Sequence, residues 1–345
     1  MAGKLLLVGY AGETHIGLNF FRASKKLGLE FQLLDIKEAF EGGLWLTKFN
    51  WWFRGHHPVQ LEKFSRKVVR ACQQLRASLM ISTGIAPVNV WALEKLGELG
   101  ARRLNYLTDD PWNAVHRAPW FMRALPLYDQ VFSVRKANLE NLRRIGCQKV
   151  SYLPFAYAPE LHYPEFPATA EERHKFDSDV VFIGGADRDR VPYISALIKA
   201  GFKVVLYGGY WERFRETKPY ARGHADPETM RKAISCAKIA LCLVRRNNRD
   251  DNSMRTFEIP AIGTCMLTED TDEHREIFEE EGKTTLYFKT PEEMVEKARH
   301  LITHKEERQR LAFNAHILIS KGKHTYKDRL INMLDCAAKI LDFHD

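Results

Sequence analysis

Residues 250–269 read DDNSMRTFEIPAIGTCMLTE, placing acidic, basic and backbone-donor chemistry in one short helix and the turns around it. Ser253 is a natural helix N-cap, Met254 to Ile262 can make two to three turns, and Gly263 is the residue type that closes a helix in the left-handed conformation. Arg255 and Glu258 are three apart and share a face. A helix N-terminus beside an arginine suits a phosphate, and a carboxylate one turn later can accept two hydrogen bonds from a vicinal diol. This is the outline of a nucleotide ribose and its diphosphate. An ordinary surface helix with an Arg/Glu pair would read the same.

Outward from this stretch, short apolar runs alternate with amphipathic ones, the βα pattern of a parallel sheet. In the first half, strands are expected over Lys4–Gly9, Glu30–Asp35, Ser78–Thr83, Arg102–Thr108, Gln130–Val134 and Lys149–Leu153. Helices fit between them at Gly17–Leu27, Pro58–Leu75, Pro87–Leu99, Asn113–Leu125 and Lys136–Ile145. Leu153–Phe176 then carries Pro154, Pro159, Pro164 and Pro167 and reads as an extended linker. A second set of strands follows at Asp179–Gly184, Lys203–Tyr207, Ile239–Val244, Thr264–Thr268 and Thr284–Phe288. Their helices start with clear signals, such as Asp226-Pro227 and the capping box Thr290-Pro291-Glu292-Glu293. The fold class is thus α/β, with two doubly wound domains: residues 1–155, a Pro-rich linker at 156–176, residues 177–322, and a C-terminal helix at 323–345 placed to pack back on the first domain.

Composition bounds the function classes. Apolar content of 45% with 28% charged residues gives a chain able to bury two cores and excludes intrinsic disorder. No run approaches the roughly 18 apolar residues of a membrane span. The start, MAGKLLLVGYAGE, reads as a strand and glycine loop rather than a signal peptide, so the expected location is the cytoplasm. Six scattered cysteines without a CxxC pair suggest neither a disulfide framework nor a zinc site. Residues 1–150 hold 22 Lys+Arg against 12 Asp+Glu, whereas the remainder holds 30 against 32, so the whole excess of +8 lies in the first half. That half is suited to an anionic partner such as a phospholipid surface, a lipid-linked phosphate or nucleic acid, or it is simply a solvated basic surface.

Two such domains in tandem open a cleft at the carboxyl ends of their strands, where ligands bind in this architecture. Glycines fall at those ends: Gly9, Gly12 and Gly17 after the first strand, Gly184-Gly185 after the first strand of the second domain, and Gly208-Gly209 after its second. They let the backbone approach a phosphate or sugar.

At this point the chain resembles the CgeB-like (spore maturation protein B-like) glycosyltransferases, which have the GT-B fold. The likeness rests on Thr108-Asp109-Asp110-Pro111, Leu153-Pro154-Phe155-Ala156, Val181-Phe182-Ile183-Gly184-Gly185 followed by Arg190, and above all Arg255-Thr256-Phe257-Glu258-Ile259-Pro260-Ala261-Ile262-Gly263. It continues through Phe278 and Gly282 to His324-Thr325-Tyr326 and Arg329. The resemblance implies two Rossmann-like domains facing across a cleft, a nucleoside-diphosphate-sugar donor held by the second, a hydroxyl acceptor on the first, which the basic charge of that half suits to being anionic or lipid-linked, and no separate cofactor. It implies a role in envelope, spore-surface or polysaccharide glycosylation in a bacterium. Glu258 looks like the ribose-binding glutamate of that fold; eight positions earlier stands Asp250, with Asp251 as its substitute. Arg255 and Arg190, with Arg188 in reserve, are the implied diphosphate partners, Ser253 caps the helix beside them, and Gly184, Gly185, Gly208, Gly209, Gly223 and His224 would line the rest of the donor. A nucleotide-sugar epimerase of the same fold, and a non-catalytic nucleotide-sugar or nucleic-acid-binding protein, are the alternatives.

Asp-x-Asp occurs at Asp177/Asp179, Asp187/Asp189 and Asp270/Asp272, a spacing that chance supplies among 44 acidic residues; the GT-B likeness implies transfer without a metal. For a base, Asp109 and Asp110 in a strand-to-helix loop come first, His15 in the first glycine loop next and His116 third. Asp110 could equally cap a helix begun by Pro111. Finally, residues 44–58, LWLTKFNWWFRGHHP, interleave aromatics with bases, which suits peripheral contact at the inner membrane face or a sugar-stacking site, and equally burial against the domain or a dimer partner.

Overall fold

The structure, a computed structural model, describes residues 4–341. The chain divides into two compact units: one runs to Pro154 and resumes at Tyr326, the other spans Phe155–Thr325.

In the first unit, strands β1 (Leu5–Gly9), β2 (Phe31–Asp35), β3 (Leu79–Thr83), β4 (Arg102–Leu107), β5 (Gln130–Ser133) and β6 (Val150–Tyr152) form one parallel sheet in the order β2-β1-β3-β4-β5-β6. β1 and β3 are buried along their whole length, which is why Leu5–Val8 and Leu79–Ile81 read as apolar runs without alternation: both faces are covered. The helices of this unit are α1 (Ile16–Lys26), α2 (Leu44–Phe53), α3 (Leu61–Leu75), α4 (Val90–Glu98), α5 (Pro119–Ala124) and α6 (Leu139–Arg144). On α3, Leu61, Phe64, Val68, Val69 and Cys72 point into the core while Lys63, Arg66, Lys67 and Arg70 face water. The helix expected over Asn113–Leu125 is confined to α5. Its first turn is set by Pro119, which lacks an N–H and holds Ala118 in the extended region, so residues 110–117 close on themselves as turns instead. α2, by contrast, forms where sequence reading assigned no element.

In the second unit, β7 (Ser178–Ile183), β8 (Val204–Tyr207), β9 (Ala237–Cys242), β10 (Met266–Glu269) and β11 (Leu286–Phe288) make a parallel sheet in the order β11-β10-β9-β7-β8. It is wrapped by α7 (Ala170–Phe176), α8 (Val191–Lys199), α9 (Pro227–Cys236), α10 (Met254–Ile262), α11 (Asp272–Phe278), α12 (Pro291–Thr303) and α13 (Lys305–Lys321). α7 lies inside the stretch expected to be an extended linker. Thr169 caps it through Glu172 N–H, and the residues before it are pinned to α9 by Arg231, which donates to Glu165 at 2.5 Å and to the Leu161 carbonyl at 3.3 Å. Leu161 and His162 are buried there, so the prolines punctuate a packed segment rather than a spacer. All six cysteines are free.

α14 (Tyr326–Leu341) returns the chain to the first unit and lies against α1. Tyr326, Leu330, Met333 and Ala337 form its buried stripe, the Tyr326 ring meets Phe20 edge-on at 5.4 Å, and Arg329 Nε donates to the Pro154 carbonyl at 2.9 Å. Of the C-terminal segment expected over 323–345, residues 342–345 lie outside the described residues. No helix among the described residues is long and apolar enough to cross a membrane. Because Leu330 is fully packed in this stripe, Leu330→Ala is expected to cost about 2–5 kcal/mol of first-unit stability, seen as an earlier urea transition by circular dichroism.

Candidate functional site

Each sheet changes direction at its first strand, between β1 and β3 in one unit and between β7 and β9 in the other. Chain leaves such a point on both sides, so the carboxyl ends of these strands open a crevice. The candidate residues collect there.

In the second unit the glycines assemble into one cradle. Gly184 N–H donates to the Tyr207 carbonyl at 2.8 Å, Gly208 N–H to Gly223 at 2.7 Å and Ala186 N–H to Gly209 at 2.9 Å. Trp211 Nε1 closes the back by donating to the Gly184 carbonyl at 2.7 Å. Gly208 has φ +128°, and a Cβ there would sit 2.3 Å from the Gly184 carbonyl oxygen, so only glycine fits. His224 stands at the edge, its ring 3.8 Å from where a Gly209 Cβ would be.

α10 forms over the range its sequence predicts. Ser253 and Thr256 make a reciprocal capping box, with Ser253 N–H donating to Thr256 Oγ1 at 2.9 Å, and Gly263 closes the helix at φ +90°. Ser253 is therefore occupied as a cap. Behind it runs a buried relay: Thr256 Oγ1 lies 2.9 Å from His274 Nε2, and His274 Nδ1 donates to the Glu269 carbonyl at 2.8 Å. Glu269 in turn accepts from Val244 N–H at 2.6 Å and pairs with Arg246 at 3.2 Å, which fixes the turn after β9. Arg255 Nε donates to the Ile183 carbonyl at 2.9 Å, tying α10 to the end of β7, and its guanidinium pairs with Glu258.

The other donor-side candidates lie deeper in this unit. Glu258 is only 1% exposed; its carboxylate faces Arg255 and His162, because a charge sunk this deep must find partners in its own chain. Arg190, expected beside a diphosphate, is buried, with its guanidinium donating to the carbonyls of Leu243 (2.9 Å), Gly185 (3.2 Å) and Val244 (3.4 Å). It is a brace across β7 and β9. Asp250 is buried beside it, its N–H donating to the Arg245 carbonyl at 3.2 Å and its charge acting on Arg190. Asp251 is half-buried, and burial with the Glu273 and Asp272 charges raises its carboxyl above the usual range.

The residue that sequence reading missed is Arg245. It is exposed at the end of β9, and its guanidinium lies 3.7 Å from where a Gly185 Cβ would be. The Arg245-Arg246 pair was a visible signal, but only the pairing of β7 with β9 brings it to the glycine cradle. Arg188 is also exposed, in the loop after Gly185.

In the first unit, Asp109 follows β4 and is half-exposed; Oδ2 accepts from Thr108 Oγ1 at 3.1 Å, and His116 Nε2 lies 3.8 Å from Oδ1. Tyr10 follows β1, with its ring 5.0 Å from that of His15, and burial with the Asp35 and Asp109 charges raises its hydroxyl above the usual range. His15 itself is exposed at the start of α1. Asp110, however, is 1% exposed, its Oδ1 accepting from Trp112 N–H at 3.0 Å. It caps a turn.

The three Asp-x-Asp pairs are engaged in salt bridges or turns: Asp177 and Asp179 with Lys203 and Lys238, Asp187 with the N–H groups of Asp189 and Arg190, Asp270 with Arg275 and Lys289. No three His, Cys, Asp or Glu side chains among the described residues are grouped to hold a metal ion.

The fold is of the GT-B glycosyltransferase type: two Rossmann-like α/β units with parallel sheets. Residues 190–335, most of the second unit and the start of α14, match a glycosyl transferase-like family. The chain is similar over nearly its whole length to solved structures, each at low identity. Sucrose-phosphate synthase from Thermosynechococcus elongatus superposes with a TM-score of 0.67 at 12% identity, covering 99% of both chains. Anabaena HepE in complex with UDP-glucose gives 0.65 at 13%, covering 97% of this chain and 99% of that one. UDP-GlcNAc 2-epimerase from Neisseria meningitidis bound to UDP-GlcNAc gives 0.53 at 13%, covering 98% and 100%. No curated protein matches the chain.

Two outcomes follow from this geometry. Gly208→Ala should force the Gly184 turn open and lower the thermal transition, whereas Gly223→Ala, which meets no neighbouring atom, should cost only the strain of its φ of +74°. The second concerns His162. Burial and the nearby Arg255 and Arg231 charges push its imidazole down from 6.5 to about 3. Nδ1 accepts from Ala158 N–H at 3.0 Å, so the proton sits on Nε2, 3.3 Å from Glu258 Oε1. The unfolded chain takes up the proton first as pH falls, so this contribution to stability is full above about 6.5 and is lost towards pH 3, at up to about 1.4 kcal/mol per pH unit. His274, also lowered by burial, acts in the same direction. His162→Gln should give a shallower fall of unfolding free energy between these pH values in urea titrations.

Proposed function

We propose that this protein transfers a sugar from a nucleoside-diphosphate-sugar donor to a hydroxyl acceptor without a metal ion, within the CgeB-like group that its Arg255–Gly263 motif resembles. The observation that carries the reading is the second unit's cradle, where Gly184, Gly185, Gly208 and Gly209 meet the α10 N-terminus, Arg255 and Arg245 at a sheet's switch point. Backbone N–H groups and unhindered glycines accommodate a diphosphate, and exposed guanidinium groups stabilise charge on the departing nucleoside diphosphate, the task a metal ion performs elsewhere. Arg245 and Arg188 take the contacts that the sequence assigned to Arg190. Arg255 leaves Glu258 for the diphosphate when donor binds, and the freed carboxylate accepts the ribose hydroxyls. His162 then remains as the neutral partner that keeps the buried carboxylate satisfied.

The first unit supplies the acceptor side. Asp109, with His116 beside it, receives the proton of the attacking hydroxyl, and Tyr10 and His15 border it. Epimerisation of a nucleotide sugar is the second reading, favoured by the likeness to the Neisseria epimerase. It predicts sugar isomerisation of the bound donor, where transfer predicts slow donor hydrolysis without acceptor.

Calorimetric titration with a panel of nucleoside diphosphates, with and without EDTA, tests the donor site. Binding should ignore the chelator. Arg245→Ala should weaken it roughly 10- to 100-fold, the worth of a charged hydrogen bond, and Arg190→Ala should lower thermal stability. No binding to any diphosphate would sink the reading. Asp109→Asn should leave diphosphate affinity unchanged and reduce turnover by roughly 10²–10⁴, as loss of a general base does.

A further inference from the structure

Helix α2 is built inside out. Its buried residue is Asn50, while Leu44, Trp45, Trp52 and Phe53 are 79, 87, 76 and 78% exposed and Leu46, Phe49 and Trp51 are exposed with them. A helix in water folds the other way, with its apolar stripe towards the core. The residues are not loosely placed, for the helix stands on a tied base. Gly42 approaches Val59 so closely that a Cβ there would lie 2.7 Å from Val59 Cγ1, and Gln60 N–H donates to the Ala39 carbonyl at 2.8 Å. At the other end His56 Nδ1 donates to the Arg117 carbonyl at 2.9 Å, and Trp120 Nε1 donates to the His56 carbonyl at 3.2 Å. On the outer face the Phe49 and Phe53 rings pair at 5.4 Å.

We propose that α2 docks this protein on an anionic lipid bilayer, lying in the headgroup plane with its aromatic face in the acyl boundary. Ten residues rise about 15 Å, half the roughly 30 Å of a hydrocarbon core, so the helix rests on the bilayer and does not span it. Tryptophan and phenylalanine are the side chains that settle at that depth. Charge selects the occupant. Between Gly42 and Arg76 the chain carries seven Lys+Arg and one acidic residue, Glu62. Lys48 and Arg54 lie within and beside the aromatic face, and Lys63, Arg66 and Arg70 follow on the exposed side of α3. A second copy of the chain would set these cations against their own kind, whereas anionic headgroups neutralise them. The contiguous apolar surface is of the kind that marks an interaction site. The inference is independent of the donor chemistry.

Co-sedimentation of the full chain with phosphatidylcholine vesicles, with and without phosphatidylglycerol, tests it. The protein should bind the anionic vesicles, with a blue shift of tryptophan emission, and should dissociate as salt is raised. The triple variant Trp45→Ser/Trp52→Ser/Phe53→Ser should lose at least about tenfold in partition while keeping the wild-type circular dichroism, since none of the three side chains is in the core. Lys63→Glu/Arg66→Glu should weaken binding to anionic vesicles and flatten its salt dependence. Failure of the wild-type chain to bind anionic vesicles would overturn the proposal. So would a triple variant that binds as well as wild type, or a lipid-free dimer in sedimentation velocity that the triple variant abolishes.

Discussion

A carboxylate buried to the depth of Glu258 is tolerated only when its charge is compensated on the spot, and the second unit is arranged around that requirement. Arg255, one turn earlier on α10, supplies the opposite charge, and the same guanidinium bonds the last carbonyl of β7. His162, held in one tautomer by Ala158 N–H, turns its remaining N–H towards the other oxygen. One charge thus fixes three pieces of chain: α10, the end of β7 and the turn at 158–162. The latter is why a proline-rich stretch with the look of a spacer belongs to the body of the unit.

The cradle that this anchoring produces is electropositive by subtraction as much as by addition. Arg190 is sunk among carbonyls, where burial and the charge of Arg245 both lower its affinity for its proton, and it acts through the backbone that it holds. Glu269 and Asp187 spend their oxygens on backbone N–H groups and on Arg246 and Arg190. What stays exposed beside Gly185 is Arg245. The relay from Glu269 through His274 to Thr256 then ties the pose of the α10 cap to the strand next to β9.

Local signals were legible where the physics is local. Ser253 and Gly263 bound α10 because capping and left-handed closure depend on the residue itself, and the central strands are legible because a strand covered on both faces carries an apolar run, as Leu5–Val8 and Val180–Ile183 do. The helix expected at Asn113–Leu125 shrinks to α5 because Pro119 bars the preceding residue from helical geometry. α2 escaped because its pattern is inverted: periodicity marks a helix by the face it buries, and this helix buries an asparagine. Glycine positions announced a cradle, but not that Gly208 must pass the Gly184 carbonyl within the room of one missing Cβ.

The α/β class, the succession of strands, the α10 turn with its cap and the basic first half are written in local residue order. These follow from composition, periodicity and capping, each read within a few residues. Which of the charged candidates is open depends on the folded packing. Asp109 and Asp110 are neighbours in sequence, yet one borders Tyr10 and His116 while the other caps a buried turn. Arg190 and Arg245 are both arginines that follow a strand, and the sheet order β9-β7 buries the first and leaves the second beside the glycines. Burial and strand neighbours are long-range properties of the fold, and no local spacing of residues encodes them.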